Sequence, residues 1–211
     1  MSSDSPPVLG LLLAGGQAQR MGGGDKALRL LGGETLLARV LDRVSLQVRH
    51  VILNANGDPA RFSGFGLPVV ADSIPGFAGP LAGVLAGLEW AKIHEPDLPW
   101  VASFATDAPF VPRDLVARLL DAARTEKAQL ACAESGGRTH PVFGLWPVSL
   151  AGNLRHALVE EGVRKVEDWM RRFSVAIVAY PVKPFDPFFN ANRPEDLAQA
   201  ERLLKSSAAL H

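Results

Sequence analysis

Short apolar runs alternate with stretches of helical periodicity through the first half of the chain. The run Val8–Leu13 is too short for a helix and is followed by glycines, which is typical of a strand buried on both faces of a parallel sheet. Runs of the same kind predict strands at residues 50–53, 67–71 and 100–105. Between the strands, apolar residues recur at helical spacing, and Thr35 is well placed as an N-cap. These helical positions are Leu36, Leu37, Val40, Leu41, Val44, Leu81, Val84, Leu85 and Leu88.

The second half of the chain is less regular, but elements continue to alternate. Pro112 is predicted to open a helix, because proline is tolerated in a first helical turn. Pro194 is predicted to start the last helix, where Glu195 and Asp196 suit the positive end of the helix dipole. The other predicted elements are strands at 129–133, 141–146 and 175–180 and a helix near 150–158. Some antiparallel pairing is expected among these strands.

Strands joined by helical crossovers build an open, mostly parallel sheet. We therefore predict one α/β domain over residues 1–211, with a three-layer, Rossmann-like, mostly parallel sheet, helices on both faces and some antiparallel pairing in the C-terminal half. Residues 1–7 and 206–211 are expected to be flexible ends of this domain.

Composition and charge exclude several classes of protein. The 22 basic residues balance 22 acidic ones, so no broad basic surface for nucleic acid or an anionic membrane is expected. No apolar run approaches the ~20 residues that span a bilayer, and the first residues do not resemble a signal peptide. The single cysteine, Cys132, lies in an apolar run and is expected to be buried packing. A cytoplasmic protein without membrane or nucleic-acid partners is predicted.

The segment after the first strand is rich in glycine and carries two cations, Arg20 and Lys26. It leaves the carboxyl end of a buried strand, which is where open α/β sheets bind ligands. Its glycines allow tight turns, and successive amides in such turns form anion-binding nests. These glycines are Gly15, Gly16, Gly22, Gly23 and Gly24. The segment therefore predicts an anion-binding site, with a mobile surface turn as the alternative.

Two common nucleotide motifs are absent from the sequence. A Walker-type P-loop needs serine or threonine after its lysine, but Lys26 is followed by Ala27. A dinucleotide fingerprint needs a particular glycine spacing and an acidic residue about 20 positions further on, whereas the second predicted strand ends beside Asn54. The predicted anion-binding loop therefore belongs to neither of these two motif classes.

Several short segments form a recognisable set. They are Leu13-Ala14-Gly15-Gly16, Arg20-Met21-Gly22-Gly23, Asp25-Lys26-Ala27, Asn54-Ala55-Asn56, Asp72, Gly79-Pro80-Leu81-Ala82-Gly83, Thr106-Asp107-Ala108-Pro109, His140-Pro141-Val142 and Phe189-Asn190-Ala191-Asn192. Together they resemble the molybdenum cofactor guanylyltransferases, members of the glycosyltransferase-A-like (GT-A-like) nucleotidyltransferase superfamily. The likeness runs from Val8 to Leu204 and implies a GT-A-like sheet.

The resemblance implies transfer of GMP from GTP to the terminal phosphate of Mo-molybdopterin, which releases pyrophosphate. The acceptor oxygen is already anionic, so the protein needs to align the two phosphates and neutralise their charge rather than supply a nucleophile. By the resemblance, Arg20, Lys26 and a Mg²⁺ ion held by Asp107 do this. Molybdoenzyme apoproteins or their chaperones are expected as further partners.

The resemblance also divides the remaining site residues between two substrates. The nucleotide is assigned to Leu13, Ala14, Gly15, Gly16, Lys26, Asn54, Asp72 and Asp107. The acceptor is assigned to Gly23, Asn190 and Asn192. Local alternatives stay open, because Asp and Asn are also common in turns and caps. His140 either contacts the acceptor or packs at the start of a strand.

Other functions remain as alternatives to guanylyl transfer. A cytidylyltransferase acting on the same acceptor would share this loop, metal and chemistry, and the paired Gly15 and Gly16 resemble the guanylyl branch. Another Mg²⁺-dependent nucleotidyltransferase, or a nucleotide-binding or cofactor-binding protein without catalysis, is also compatible with the fold. A nicotinamide oxidoreductase lacks both the fingerprint spacing and the acidic ribose partner.

Overall fold

A computed structural model of the protein describes residues 6–15, 25–76 and 79–208, with side chains as far as residue 205. The strands are β1 (Val8–Leu13), β2 (Leu30–Leu31), β3 (Glu34–Thr35), β4 (His50–Asn54), β5 (Val69–Val70), β6 (Trp100–Ala105), β7 (Leu130–Ser135), β8 (Arg138–Pro147) and β9 (Val175–Tyr180). The helices are α1 (Leu36–Val44), α2 (Pro80–His94), α3 (Leu115–Thr125), α4 (Ala151–Val159), α5 (Val166–Met170) and α6 (Pro194–Ala208).

Within these ranges, seven strands form one sheet in the order β5-β4-β1-β6-β8-β7-β9. β1 pairs in parallel with β4 and β6, whereas β8 runs antiparallel to both β6 and β7. β9 pairs in parallel with β7 at the far edge of the sheet. The predicted mostly parallel sheet with antiparallel pairing in its C-terminal half is confirmed. β2 and β3 form a separate short ribbon.

Helices cover both faces of the sheet, as predicted. Along β1, Val8 and Leu12 pack with α1 and α3 on one face, whereas Leu9 and Leu11 pack with α2, α4 and α5 on the other. A strand in this position is buried on both sides, which explains its continuous apolar run. The predicted N-cap of α1 is also confirmed, because the Thr35 Oγ1 accepts a hydrogen bond from the Ala38 amide at 3.1 Å.

The direction of β8 is determined by a tight hairpin. Gly136 and Gly137 join β7 to β8 with φ of +57° and +75°. A two-residue loop with both φ values positive matches the twist of antiparallel strands, and glycine adopts it without strain. Because β8 runs against β6, its first half lies at the edge of the sheet where β1, β4 and β6 end.

The strands β7 and β8 cover Leu130–Ser135 and Arg138–Pro147, against the predicted 129–133 and 141–146, and two other predicted elements differ more from the structure. The strand predicted at 67–71 pairs only at Val69–Val70, at the outer edge of the sheet. Pro112 does not open α3, which begins at Leu115. The Gln47 side chain donates to the Pro112 carbonyl at 2.9 Å and accepts from the Val116 amide at 3.0 Å. Gln47 thus anchors the segment before α3 and satisfies an N-terminal amide of α3 that no cap side chain reaches.

Cys132 is buried as predicted, and its burial raises the pKa of its thiol to about 12. A thiol with so high a pKa carries no thiolate at neutral pH, so Cys132 acts as a small packing residue. Among the helices of the described ranges, none is both long and apolar enough to cross a membrane.

Candidate active site

The carboxyl ends of the parallel strands open into a cleft of about 970 Å³. At this edge Leu13 lies in register with both Asn54 and Ala105, so the residues that follow these three strands meet. Thr106 joins the strand ends, because its Oγ1 donates to the Leu13 carbonyl at 3.2 Å. The cleft therefore lies where the sequence predicts the ligand site.

The order of the strands determines the order of polar groups along the cleft. Asp72 follows β5, Asn54 ends β4, Asp107 follows β6, and His140 lies on β8. Asp107 therefore lies between the β4–β5 end of the cleft and the β8 end. We call these the nucleotide half and the acceptor half, after the roles predicted from the sequence.

Lys26 lies beside Asp107, between the two halves of the cleft. Its Nζ donates both to Asp107 Oδ2 and to the Asn192 Oδ1. The backbone reinforces this meeting point, because the Ala191 amide donates to the Asp107 carbonyl at 2.9 Å. Three segments that lie far apart in the sequence thus meet around the ammonium group of Lys26. The Lys26 side chain is only 13% exposed.

The second oxygen of the Asp107 carboxylate, Oδ1, is buried and has no hydrogen-bond donor among the described residues. A buried carboxylate oxygen without a donor is unfavourable unless a cation satisfies it. The described residues include no cluster of three acidic, histidine or cysteine side chains that would cage a metal ion. This donor set fits Mg²⁺, which is commonly held by one or two carboxylates together with waters and substrate phosphates.

In the nucleotide half, two asparagines hold the Asp72 carboxylate. Asn54 Nδ2 donates to Asp72 Oδ1 at 2.9 Å and to the Val70 carbonyl at 3.1 Å. Asn56 Nδ2 donates to Asp72 Oδ2 at 2.8 Å, and the Asp72 amide donates back to Asn56 Oδ1 at 2.9 Å. Both hydrogens of the buried Asn54 amide are therefore used within the protein. Asp72, which is only partly buried, keeps free lone pairs on each oxygen.

Helix α2 packs tightly against Asn54 through Gly83. A Cβ atom at position 83 would lie 2.3 Å from Asn54 Oδ1 and 2.7 Å from Leu13 Cδ2. These distances are far shorter than van der Waals contact, so glycine is required there by close approach. The start of α2, at Gly79 and Pro80, also lines the cleft.

Replacing Gly83 with alanine is expected to displace the Asn54 side chain. The overpacking should lower the free energy of unfolding by about 1–3 kcal/mol. It should also weaken nucleotide binding, because Asn54 holds Asp72. Urea unfolding and calorimetric GTP titration would measure the two effects. The matched control is Gly152→Ala in α4, where a new Cβ meets nothing within 4 Å. This control should leave the free energy of unfolding unchanged or raise it by up to ~1 kcal/mol. Equal urea midpoints for Gly83→Ala and Gly152→Ala would contradict the close packing of Gly83 against Asn54.

In the acceptor half, His140 is linked to the protein interior. Its Nε2 lies 2.7 Å from Ser135 Oγ, which in turn donates to Asp186 Oδ1 at 2.8 Å. Its ring packs against Phe188 with centroids 4.8 Å apart. Burial lowers the pKa of His140, and the nearby Asp186 only partly opposes this effect. The histidine both packs against an aromatic side chain and lines the cleft.

The structure brings most of the predicted site residues to this one cleft. Those that line it are Leu13, Ala14, Gly15, Lys26, Asn54, Asp72, Asp107, Asn190 and Asn192. Gly16, Arg20 and Gly23 lie outside the described residues. The polar lining residues for which no role was predicted are Asn56, Thr106, Arg138, Thr139, Glu167 and Arg193. The Gly136-Gly137 pair would have predicted the hairpin that brings Arg138 and Thr139 to the cleft.

Comparison with known proteins identifies the family of the chain. Residues 10–174 match the family described as MobA-like NTP transferase domain. The chain is 60% identical over 202 residues to the molybdenum cofactor guanylyltransferase of Bradyrhizobium sp. (strain ORS 278), covering 96% of this chain and 95% of the relative.

Two solved structures resemble the fold. One is molybdopterin-guanine dinucleotide biosynthesis protein A from Archaeoglobus fulgidus, with a TM-score of 0.71 and 24% identity, covering 94% of this chain and 99% of that one. The other is 2-C-methyl-D-erythritol 4-phosphate cytidylyltransferase from Thermus thermophilus, with a TM-score of 0.64 and 24% identity. This match covers 92% of this chain and 98% of that one. At such identities the likeness concerns the GT-A-like fold alone.

Proposed function

Because the chain belongs to the MobA-like NTP transferase family, we propose that it transfers GMP from GTP to the terminal phosphate of Mo-molybdopterin. An oxygen of the acceptor phosphate attacks the α-phosphorus of GTP, and the bond from that phosphorus to the oxygen bridging to the β-phosphate breaks. The products are the guanine dinucleotide form of the cofactor and pyrophosphate. The observation that carries the proposal is the meeting of Lys26, Asp107 and Asn192 between the two halves of the cleft.

Charge neutralisation is the main task of the protein in this reaction. The Lys26 ammonium lies beside Asp107, where it can contact phosphate oxygens entering the cleft. The free Oδ1 of Asp107 would hold Mg²⁺, which when bound supplies positive charge to the phosphate oxygens. We assign further phosphate contacts to Arg20 and to the backbone of the loop at Gly15 and Gly16, of which Gly15 lines the cleft.

The base of the nucleotide belongs in the corner between β4 and β5. Asp72 is held there by Asn54 and Asn56, with its remaining lone pairs free for a ligand. A carboxylate pairs with two adjacent N–H donors, and guanine offers such a pair in its ring N–H and its amino group. Cytosine offers its amino group beside an acceptor nitrogen. This difference supports a preference for GTP, with the backbones of Leu13 and Ala14 framing the base.

The acceptor belongs in the half of the cleft lined by Asn190 and Asn192, to which the resemblance adds Gly23. Neutral amides suit the mixed donors and acceptors of a pterin ring. Because the Ala191 amide is bonded to the Asp107 carbonyl, this segment is held at the reaction centre. We also propose a cytoplasmic setting, which the single buried cysteine supports, and release of the product to molybdoenzyme apoproteins or their chaperones.

The proposed function is tested by a nucleotide panel with Mg²⁺ and Mo-molybdopterin, monitored for pyrophosphate. GTP is expected to be turned over, and calorimetry is expected to show GTP binding at least about tenfold more tightly than CTP, a difference of ~1.4 kcal/mol. A reversed preference would favour the cytidylyltransferase alternative. Nucleotide binding without pyrophosphate release would favour a non-catalytic binding protein.

A further inference from the structure

A buried hydrogen-bond chain determines which nitrogen of His140 carries a proton. Ser135 is 3% exposed, and its single hydroxyl hydrogen is donated to Asp186 Oδ1. The same Oδ1 accepts the Phe188 amide at 2.9 Å, which confirms that this oxygen is an acceptor. The 2.7 Å contact between Ser135 Oγ and His140 Nε2 must then be donated by the histidine. The neutral ring therefore carries its hydrogen on Nε2 and a lone pair on Nδ1.

The surroundings favour the neutral, fixed ring. Burial lowers the pKa of His140, and Arg138 lowers it further, while Asp186 and Glu134 act in the opposite direction. Phe188 packs against the ring and Phe143 meets its edge, with centroids 6.4 Å apart. A ring flip would exchange Nε2 for another atom and break the bond to Ser135. The lone pair on Nδ1 is thus held in one place.

The Nδ1 atom has no hydrogen-bond partner among the described residues, although His140 lines the cleft. An unprotonated ring nitrogen repels phosphate oxygens and accepts from N–H or O–H groups. Lys26 and Asp107 lie nearer the centre of the cleft, where charged phosphate groups belong. The position beside His140 therefore suits an uncharged part of a ligand that presents a hydrogen-bond donor.

We propose that His140 is a specificity-determining residue for the acceptor, whose heterocycle donates an N–H hydrogen bond to His140 Nδ1. This inference rests on the proposed function, because it places the pterin ring of the acceptor in this half of the cleft. Ser135 and Asp186 act as positioning residues, since they hold the ring in the tautomer that leaves Nδ1 free to accept.

The most informative variant is His140→Gln. Glutamine places an amide donor near the position of Nε2 and can keep the bond to Ser135, but it has no acceptor at the position of Nδ1. Because one hydrogen bond is lost, the KM for Mo-molybdopterin is expected to rise by about tenfold. The KM for GTP and kcat should stay nearly unchanged. His140→Asn, whose amide oxygen lies near the Nδ1 position, should recover part of the affinity. An unchanged acceptor KM in His140→Gln would overturn the proposal.

Long-range ¹H–¹⁵N correlation spectra test the tautomer without any turnover. The His140 signal, assigned by its disappearance in His140→Gln, is expected to show the Nε2–H form at pH 7.5 and to lose this preference in Ser135→Ala. Ser149→Ala, at an exposed serine, is the matched control and should change nothing. An Nδ1–H form or a charged ring in the wild type would refute the inference. This result would stand even if the nucleotide panel failed, so the two failures are distinguishable.

Acidification provides a third measurement of the same hydrogen bond. Protonation of Nδ1 converts it from an acceptor to a donor, so acceptor affinity is present above the pKa of His140 and lost as the pH falls through it. Burial lowers this pKa, so the loss is expected below pH 6.5. Quenching of the fluorescence of a free pterin would measure binding. The wild type should lose affinity for the pterin on acidification, whereas the affinity of His140→Gln should not change with pH. Parallel pH profiles for the two proteins would show that His140 does not accept the hydrogen bond from the pterin.

Discussion

Replacing Asp107 with asparagine is expected to lower the rate of pyrophosphate release at saturating substrates by about 10²–10³-fold. The variant removes the negative charge from the buried Oδ1, which lacks any donor among the described residues and is the proposed magnesium ligand. It also removes the ionic partner of Lys26. Initial rates over a Mg²⁺ titration would separate two causes. If metal binding is weaker, high Mg²⁺ restores the rate; if the chemical step is impaired, the loss of rate persists at saturating Mg²⁺.

The fold should survive this substitution. Asparagine has nearly the shape of aspartate, and the backbone carbonyl of residue 107 still accepts from the Ala191 amide. The matched control is Asp121→Asn on α3, where the carboxylate is 69% exposed and pairs with Arg124. That control should keep full activity. Turnover of Asp107→Asn within threefold of the control would remove this carboxylate from the proposed mechanism.

Replacing Lys26 with methionine is expected to lower kcat/KM for GTP by about 10²-fold or more. Methionine keeps the apolar stem of the side chain but removes the ammonium group that binds Asp107 and Asn192. Without this cation, the triphosphate loses a positive partner and Asp107 is left with uncompensated charge. Both substrates should be affected, because Asn192 belongs to the acceptor half of the cleft.

Steady-state kinetics with each substrate varied in turn would test the effect of Lys26→Met. Lys92→Met, at an exposed position on α2, is the matched control and should behave as the wild type. Lys26→Arg is expected to restore little activity, because a planar guanidinium does not occupy the position of a compact ammonium between two side chains. A change in the KM for GTP alone would contradict the assignment of Lys26 to both halves of the cleft.

The proposed reaction centre combines residues from three segments that are distant from one another in the sequence. Lys26 follows the glycine-rich loop, Asp107 follows β6, and Asn192 precedes the last helix. One ammonium group contacts the other two side chains. Such an arrangement supports catalysis by alignment and charge neutralisation, in which no protein group forms a covalent bond to the substrate.

Hydrophobic periodicity alone predicted those strands whose burial pattern is regular along their whole length. β1, β6 and β9 have the predicted ends, because a strand buried in a sheet imposes an apolar run that stops where the strand leaves the core. The Thr35 cap of α1 was predictable because capping is a local interaction. The edge strand β5 and the start of α3 differed, since pairing at a sheet edge and the Gln47 contacts depend on residues distant in sequence.

Local sequence patterns determine the α/β alternation, and parallel strands carry the residues at or just after their ends, Asn54, Asp72 and Asp107, to one edge of the sheet. Residue spacing has no information on which strand becomes the neighbour of β6. The position of β8 between β6 and β7, which brings His140 to the cleft, follows from the assembly of the whole sheet. Likewise, only the packing of distant segments decided that Ser135 orients His140, because a hydrogen bond depends on positions in space, which are set when the sheet is assembled.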